Sequence, residues 1–299
     1  MRVFLTGATG FIGSAIVPEL LRAGHQVLGL ARSDARAQAL AATGAQVHRG
    51  DLEDLDSLRA GAAACDGVIH TAFIHDFSKF AENGQIDKRA IETMGAVLAG
   101  SGKPLVVSSG TGLVAPGRVA TEDMAADGED LPRVSEQTAL AQVARGVRAM
   151  AIRLPPTVHG AGDHGFVPHI VDVARSAGVS AYVGDGANRW PAVHRLAAAR
   201  LYRLALEKGT AGARYHAVAE DGVATRAIAQ TIGQRLHLPV VSKTPEEAGA
   251  HFAVHGMAFI GMLFSLDIAA SSAWTQAELG WTPDGPSLLS DLETHYLGG

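Results

Sequence analysis

The sequence of 299 residues holds a single cysteine, few aromatic residues and no concentration of charge of either sign. With Cys65 alone, no intrachain disulfide can form, and Met1 leads into a predicted strand rather than a signal segment. The net charge of -5, without any run of Lys and Arg, predicts neither nucleic acid nor a membrane surface as a partner. No apolar run reaches the length of a membrane-spanning helix. We therefore expect a cytoplasmic protein whose partner is a small molecule.

The composition, with 47% hydrophobic and 18% charged residues, is that of a well-packed globular protein. Through the first half, short β-branched or Leu-rich runs alternate with Ala-rich segments of helical period, which is typical of parallel strands joined by helical crossovers. The predicted strands are 2–6, 26–31, 45–49, 67–71, 104–109 and 148–154, and the predicted helices are 11–23, 35–42, 55–60, 85–99 and 134–145. Five glycines are placed as helix ends: Gly24, Gly44, Gly61, Gly100 and Gly146.

This alternation predicts an α/β fold, a Rossmann-type doubly wound parallel sheet with a smaller C-terminal substrate lobe. The character of the sequence changes after residue 154, where prolines and glycines cluster. We expect a dinucleotide-binding domain over residues 1–155 and a substrate-binding lobe over residues 156–299, which returns strands to the main sheet.

Three glycines stand between the first predicted strand and the first predicted helix. Gly7 permits a tight turn, Gly10 lets a pyrophosphate approach the backbone, and Gly13 allows the helix to pack close to the sheet. Because the triplet lies in the strand–turn–helix context that the fingerprint requires, it predicts a dinucleotide site.

The residues after the second strand indicate which dinucleotide is bound. An NAD site ends this strand in an acidic residue, whereas this strand is followed by Arg32 and Ser33. A guanidinium there favours a 2′-phosphate, with Arg36 assisting, so we predict NADP(H); the alternative is a solvated loop arginine. After the third strand, Asp51 and Leu52 are expected to flank the adenine, although Asp51 could equally cap the next helix.

Several segments together resemble one family. They are TGATGFIG at 6–13, the Arg32 position, GDL at 50–52, VIHTA at 68–72, VVSSGTG at 106–112 and RLPPTVHG at 153–160. In this order the chain resembles an extended or atypical short-chain dehydrogenase/reductase, close to the NAD(P)-dependent epimerase/dehydratase group. The resemblance covers essentially the whole length.

The family's catalytic YxxxK dyad is absent. None of Tyr182, Tyr202, Tyr215 and Tyr296 has a lysine four residues later. The segment PRVSE at 132–136 lies where the family carries YxxSK, which puts Pro132 at the tyrosine position and Glu136 at the lysine position. A glutamate would raise, not lower, the pKa of a nearby acid.

Other parts of the family's site are present. The resemblance implies that Ser109 bonds a substrate carbonyl, with Thr111 nearby; the alternative is a strand end that satisfies its own backbone. Asp87 stands where the family usually has asparagine. It could order water or the preceding backbone, or it could be a surface charge at the start of a helix. The cofactor contacts implied are Gly7, Thr9, Gly10, Phe11, Ile12, Gly13, Arg32, Ser33, Asp51, Leu52, Thr71, Ala72, Phe73, Ser108, Pro155 and Val158.

Without the tyrosine, a histidine or an ordered water must deliver the proton in a carbonyl reduction. His159, in place of the tyrosine of the family's VYG segment, is the candidate we assign as catalytic, although each histidine could equally be structural. No spacing typical of metal ligands occurs, so we predict no metal. The expected substrate contacts are His75, Phe77, His164, Phe166, Trp190 and His194. The pocket is expected to have a largely apolar lining of Phe73, Phe77, Phe166, Val167 and Trp190, which aromatic core packing would also explain.

The leading hypothesis is an NADPH-dependent oxidoreductase that reduces a small, fairly apolar ketone or aldehyde. A non-catalytic NADP(H)-binding regulatory or redox-sensing protein is the alternative, because the dyad is missing. A sugar-nucleotide epimerase or dehydratase is the third. The resemblance also implies a homodimer formed through helices 85–99 and 134–145.

Overall fold

A computed structural model of the chain describes residues 1–112, 114–125, 133–253 and 258–297, apart from the side chains of Phe77 and Ala258. In these residues seven parallel strands form the central sheet, in the order β10-β6-β5-β4-β1-β2-β3. Strands β1 and β4 are buried on both faces, which is why they read as continuous apolar runs. The strands are β1 (Arg2–Thr6), β2 (Gln26–Ala31), β3 (Gln46–Arg49), β4 (Gly67–His70), β5 (Pro104–Gly110), β6 (Arg148–Leu154) and β10 (Arg214–His216).

Helices cover both faces of this sheet, so the predicted Rossmann-type fold is confirmed. The first two and the seventh helix contribute to one core, and the third, fourth and fifth helices to the other. The six strands predicted from the sequence agree with the observed ones to within one residue at each end. These helices are α1 (Gly13–Arg22), α2 (Asp34–Ala41), α3 (Leu55–Ala63), α4 (Phe80–Leu98), α5 (Ser135–Ala141) and α7 (Arg195–Lys208).

The remaining elements build the lobe beside the carboxyl ends of the strands. A small sheet has the order β11-β9-β7, and β12 pairs with β8. Because β10 pairs with β6, the chain returns from this lobe to the main sheet. Its strands are β7 (Thr157–His159), β8 (Ser180–Val183), β9 (Arg189–His194), β11 (Glu220–Ala224) and β12 (Val240–Lys243). Its helices are α6 (Phe166–Ala177), α8 (Thr225–Leu236), α9 (Pro245–Phe252), α10 (Ala258–Phe264) and α12 (Leu288–Asp291). In contrast, α11 (Ala273–Leu279) packs against α7 and β10, and its Leu279 belongs to the core that α7 forms on the main sheet.

None of the helices in the described residues combines the length and apolarity needed to cross a bilayer. One predicted helix end is wrong. Gly61 lies inside α3 and is buried. The position requires glycine, because a Cβ there would overlap the ring of Phe4. Close packing of α3 on β1, rather than termination, requires this glycine.

Gly61→Ala should therefore lower the free energy of unfolding by about 1–3 kcal/mol, since the fully buried Phe4 ring has no space to move into. Gly249→Ala is the matched control, because its added methyl group meets nothing within 4 Å in α9. The control should be neutral or up to about 1 kcal/mol stabilising through helix propensity. Urea unfolding measures both, and an equal response of the two variants would contradict the close approach.

Candidate functional site

The loop between β1 and α1 contains three glycines that leave its backbone uncovered by side chains. Gly7 has φ +70, and a Cβ at this position would lie 2.7 Å from Oγ1 of Thr71 and 2.8 Å from the amide nitrogen of Ala72. The amide of Gly10 donates to the carbonyl of Gly7 over 2.9 Å, and a Cβ on Gly13 would overlap that carbonyl. No side chain fits at these points, so the loop suits the close approach of a dinucleotide pyrophosphate at the start of α1.

The other predicted loop residues take different positions. Oγ1 of Thr9 accepts a hydrogen bond from Arg36 over 2.9 Å. The ring of Phe11 lies 5.1 Å from the guanidinium carbon of Arg195 and 5.9 Å from the ring centroid of His164. Ile12 precedes α1 and its side chain packs against the core.

At the end of β2, Arg32 is exposed and Ser33 begins α2 as its N-cap. The hydroxyl of Ser33 accepts from the amide of Arg36. No acidic residue takes the place that binds a ribose 2′-hydroxyl in an NAD site, because Arg32 and Ser33 stand there.

After β3, the residues expected near the adenine are mostly committed to the fold. Asp51 accepts hydrogen bonds from the amides of Glu53 and Asp54, at 2.8 and 3.0 Å. The cap of α3 is Asp54, so the alternative assignment of Asp51 as the helix cap is wrong. Leu52 is buried in the core against α3.

Three residues follow β4 toward the cleft. Oγ1 of Thr71 donates to the carbonyl of Thr6 over 2.8 Å, which ties this turn to the end of β1, and Ala72 packs beside it. The ring of Phe73 lies 5.3 Å from that of His75 and 5.6 Å from that of Phe80. Phe73 therefore forms an aromatic floor at the end of the sheet.

Two neighbouring serines at the end of β5 differ in their surroundings. The hydroxyl of Ser108 is buried between the carbonyl of His70, at 3.0 Å, and the hydroxyl of Tyr202, at 2.6 Å. Its assignment as a cofactor ligand is wrong for the hydroxyl, which faces the core under α7. Ser109 is half-buried and is the accessible hydroxyl. Thr111 is enclosed, and its Oγ1 has no hydrogen-bond partner among the described residues.

Asp87 is not a surface charge. Its carboxylate is buried in α4 and accepts from Nε2 of His70 at 2.9 Å and from the hydroxyl of Ser135. Nδ1 of His70 continues this network to Oγ1 of Thr6 over 2.8 Å. Burial raises the pKa of Asp87, but the hydrogen bond and charge of His70, the charge of Arg133 and the hydrogen bond of Ser135 together hold this pKa below its ordinary value. A buried carboxylate thus joins α4, α5, β4 and β1.

Sequence reasoning missed Arg133. Its guanidinium carbon lies 4.1 Å from the ring centroid of Phe73, Nε donates to Ser135 over 2.8 Å, and Nη2 donates to the carbonyl of Ser108 over 3.1 Å. The signal for it was the single cation in the PRVSE segment. Pro132, expected at the tyrosine position, lies outside the described residues.

Glu136, at the expected lysine position, is turned away from the cleft. It is buried and accepts two hydrogen bonds from Arg153 on β6 and one from Arg214 on β10, each over 2.7 Å. Burial raises the pKa of Glu136, but these two cations outweigh it and lower the pKa overall. Glu136 therefore binds two strands of the sheet together, and it does not replace the catalytic lysine of the family's dyad.

The predicted proton donor His159 is fully enclosed. Its Nδ1 lies 2.6 Å from Oδ2 of Asp291, and its buried Nε2 has no hydrogen-bond partner in the described residues and lies 3.9 Å from Oε2 of Glu220. Burial lowers the pKa of His159. The assignment of His159 as the donor is wrong for this arrangement, because no substrate reaches the ring. Near it, Pro155 is buried and Val158 packs against the main core.

Trp190 is also a core residue and not a substrate contact. It is fully buried, its Nε1 donates to the carbonyl of Leu263 over 3.2 Å, and its ring centroid lies 4.8 Å from that of Phe264. Phe166 is half-buried, with its ring 5.5 Å from that of Phe259. The side chain of Phe77 lies outside the described residues.

The three histidines that were predicted as substrate contacts differ in their exposure to solvent. His75 and His164 are exposed, whereas His194 caps α7 by accepting from the amide of Leu196. Partial burial and then the cation of Arg133 lower the pKa of His75, and burial lowers that of His194. His159, His194 and Asp291 do not make a metal site, since no group of side chains in the described residues is suited to hold a metal ion.

Comparison with known proteins agrees with this geometry. A family model described as NAD(P)H-binding matches residues 7–129. The sequence is 51% identical to an uncharacterized protein of Schizosaccharomyces pombe over 98% of both chains. It is 30% identical to a 2-alkyl-3-oxoalkanoate reductase of Stenotrophomonas maltophilia, over 71% of this chain and 67% of that protein. The chain belongs to the short-chain dehydrogenase/reductase family.

A solved structure of the same fold is a dTDP-glucose 4,6-dehydratase of Streptomyces venezuelae with NAD and TYD bound. It superposes with a TM-score of 0.76 at 20% sequence identity, covering 99% of this chain and 96% of that one. The family resemblance predicted from the motifs is confirmed, and the chain carries an NAD(P)-binding domain of the short-chain dehydrogenase/reductase type.

Removal of the carboxylate beside His159 tests its structural role. Asp291→Ala should lower the free energy of unfolding by about 1–3 kcal/mol, because the enclosed Nδ1 loses its acceptor. The control is His295→Ala, whose Nε2 lies 3.8 Å from the other oxygen of Asp291 at the surface and whose loss should cost less than about 0.5 kcal/mol. Urea unfolding at neutral pH measures both, and an unchanged Asp291→Ala variant would refute the role.

Proposed function

We propose that this protein is an NADPH-dependent reductase of a small, largely apolar ketone or aldehyde in the cytoplasm. The observation that carries the proposal is the cationic end of β2. Arg32 and Ser33 stand where an NAD site needs an acid, and Arg36 reaches from α2 to Thr9 in the glycine loop over 2.9 Å. A 2′-phosphate placed between these donors makes charge-assisted hydrogen bonds, which a ribose hydroxyl cannot match.

The rest of the cleft supports reduction of a carbonyl. When bound, NADPH supplies the hydride. The bare loop at Gly7 and Gly10 holds its pyrophosphate, and Phe73 forms the floor beside the reacting end. Ser109, half-buried at the end of β5, donates a hydrogen bond to the carbonyl oxygen and stabilises the negative charge that develops there. The relative from Stenotrophomonas maltophilia, a 2-alkyl-3-oxoalkanoate reductase, is in accord with this chemistry.

The geometry favours water as the proton source. His159 is enclosed, and the lowered pKa of His75 and of His194 leaves both rings neutral near pH 7. A neutral imidazole is a weak acid in this role. The side chains of His75 and His164 are exposed, so solvent reaches this end of the sheet.

Arg32→Ala tests the choice of cofactor. It should weaken the binding of NADPH by about 10- to 100-fold, the strength of a charge-assisted contact, and leave NADH binding within about threefold. Titration calorimetry with each nucleotide measures this. The control is Arg22→Ala, an exposed arginine in the last turn of α1. Equal weakening of both nucleotides would refute a 2′-phosphate site.

Ser109→Ala tests the reaction. With a panel of ketones and aldehydes, NADPH oxidation by the parent should fall by about 10²- to 10³-fold in kcat for this variant, the effect of losing one donor to the developing oxyanion. Ser176→Ala, on the exposed face of α6, is the control and should match the parent. Full activity of Ser109→Ala would exclude this serine as the donor.

A non-catalytic NADP(H)-binding protein is the second candidate. It is favoured by Glu136, which stands at the position of the family's lysine and is bound by Arg153 instead of facing the cleft. Tight NADPH binding without oxidation against any member of the panel would support this candidate and reject the reductase.

A further inference from the structure

We infer that Arg133 is a carboxylate-binding residue, so that the carbonyl compound reduced at this site also carries an acid group. This inference rests on the proposed reductase function and adds an acid group to the small, otherwise apolar carbonyl compound proposed there. It starts from the placement of the guanidinium, whose carbon lies 4.1 Å above the ring centroid of Phe73 at the carboxyl end of the sheet.

Within the part of the chain that the structure describes, the hydrogen bonds of Arg133 leave one edge of its guanidinium without a partner. Nε donates to Oγ of Ser135 over 2.8 Å, and Nη2 donates to the carbonyl of Ser108 over 3.1 Å. These two bonds occupy the Nε–Nη2 side of a group with five N–H donors. The edge formed by Nη1 and the second hydrogen of Nη2 is the fork that matches a carboxylate in bidentate geometry.

Asp87 fixes this orientation. The hydroxyl hydrogen of Ser135 goes to Asp87, which leaves a lone pair of Oγ to accept from Arg133. The carboxylate of Asp87 is itself held by Nε2 of His70 over 2.9 Å and is almost fully buried. Asp87 and Ser135 are therefore positioning residues, and the guanidinium is held in place before a ligand binds.

The anion cannot be the cofactor's pyrophosphate. Arg133 contacts Ser108 on β5 and Phe73 after β4, whereas the glycine loop follows β1. In the sheet order β5-β4-β1, the end of β5 is about 10 Å from the end of β1, because adjacent strands lie about 4.8 Å apart. The guanidinium thus stands at the reacting end of the cleft, where the substrate lies.

The protein balances the charge of Arg133 only in part. Arg133 is half-buried against Phe73, and the charge of Asp87 acts on it from behind Ser135 and raises its pKa. Burial outweighs this effect and lowers the pKa of Arg133 overall, so a second anion beside the guanidinium would stabilise the cation. The ring of His75 lies 5.3 Å from that of Phe73, so His75 and Arg133 contact the same aromatic ring.

Paired substrates test the inference. The rates of NADPH oxidation with 3-oxohexanoate and with its methyl ester compare molecules that differ in charge and little in shape. The parent should prefer the acid, and Arg133→Gln should reduce the ratio of kcat/KM for acid over ester by about 10- to 100-fold, mainly through KM. Arg22→Gln is the control and should keep the parent's ratio. An unchanged ratio in Arg133→Gln, or an equal loss for acid and ester, would overturn the carboxylate site.

Binding without turnover gives a second readout. Titration of 3-hydroxyhexanoate into the NADPH-loaded protein, a combination that contains no hydride acceptor, should show a Kd that rises about 10- to 100-fold in Arg133→Gln, with NADPH binding retained. Ser135→Ala keeps the cation but removes its support, so it should raise this Kd by a smaller factor. If the protein reduces no carbonyl compound, the proposed reductase fails, and this titration still decides the site. Equal affinity of parent and Arg133→Gln for the acid would refute it.

Discussion

Parallel pairing of β1, β4 and β5 is the constraint on which the site depends. Thr6 is opposite His70 in one ladder, and His70 is opposite Val107 in the next. Because the strands run in the same direction, the glycine loop after β1, Phe73 after β4 and Ser109 at the end of β5 all emerge at one edge of the sheet. Hydrogen bonds of the backbone thereby bring together residues that are about a hundred positions apart in sequence.

The buried carboxylate of Asp87 adds a second constraint at that edge. It accepts from His70 on β4 and Ser135 at the start of α5, and His70 reaches Thr6 at the end of β1. Since an ionised carboxylate is stable in the interior only while it is hydrogen-bonded, these elements cannot shift independently. The same network orients Arg133, which connects packing of the core with the chemistry of the cleft.

In the lobe, the side chains of His159 and Trp190 serve packing alone and do not contribute to the site. His159 is sealed against Asp291 from the C-terminal segment, and Trp190 packs against Phe264 with its Nε1 bonded to a backbone carbonyl. These groups hold β7, β9 and the last helices together. Histidine and tryptophan have polar atoms that must be satisfied when buried, so a residue type suited to catalysis can serve packing equally well.

The sequence by itself determined the parallel sheet, the glycine cradle and the cationic end of β2, because hydrophobic period and glycine spacing are local properties that backbone geometry converts directly into structure. It also placed Ser109 at the end of its strand. Only the tertiary structure decided that Gly61 packs against Phe4, that His159 and Trp190 are enclosed, and that Arg133 lies over the ring of Phe73. These outcomes depend on contacts between residues that are distant in sequence, and the hydrophobic period of a segment does not specify those contacts.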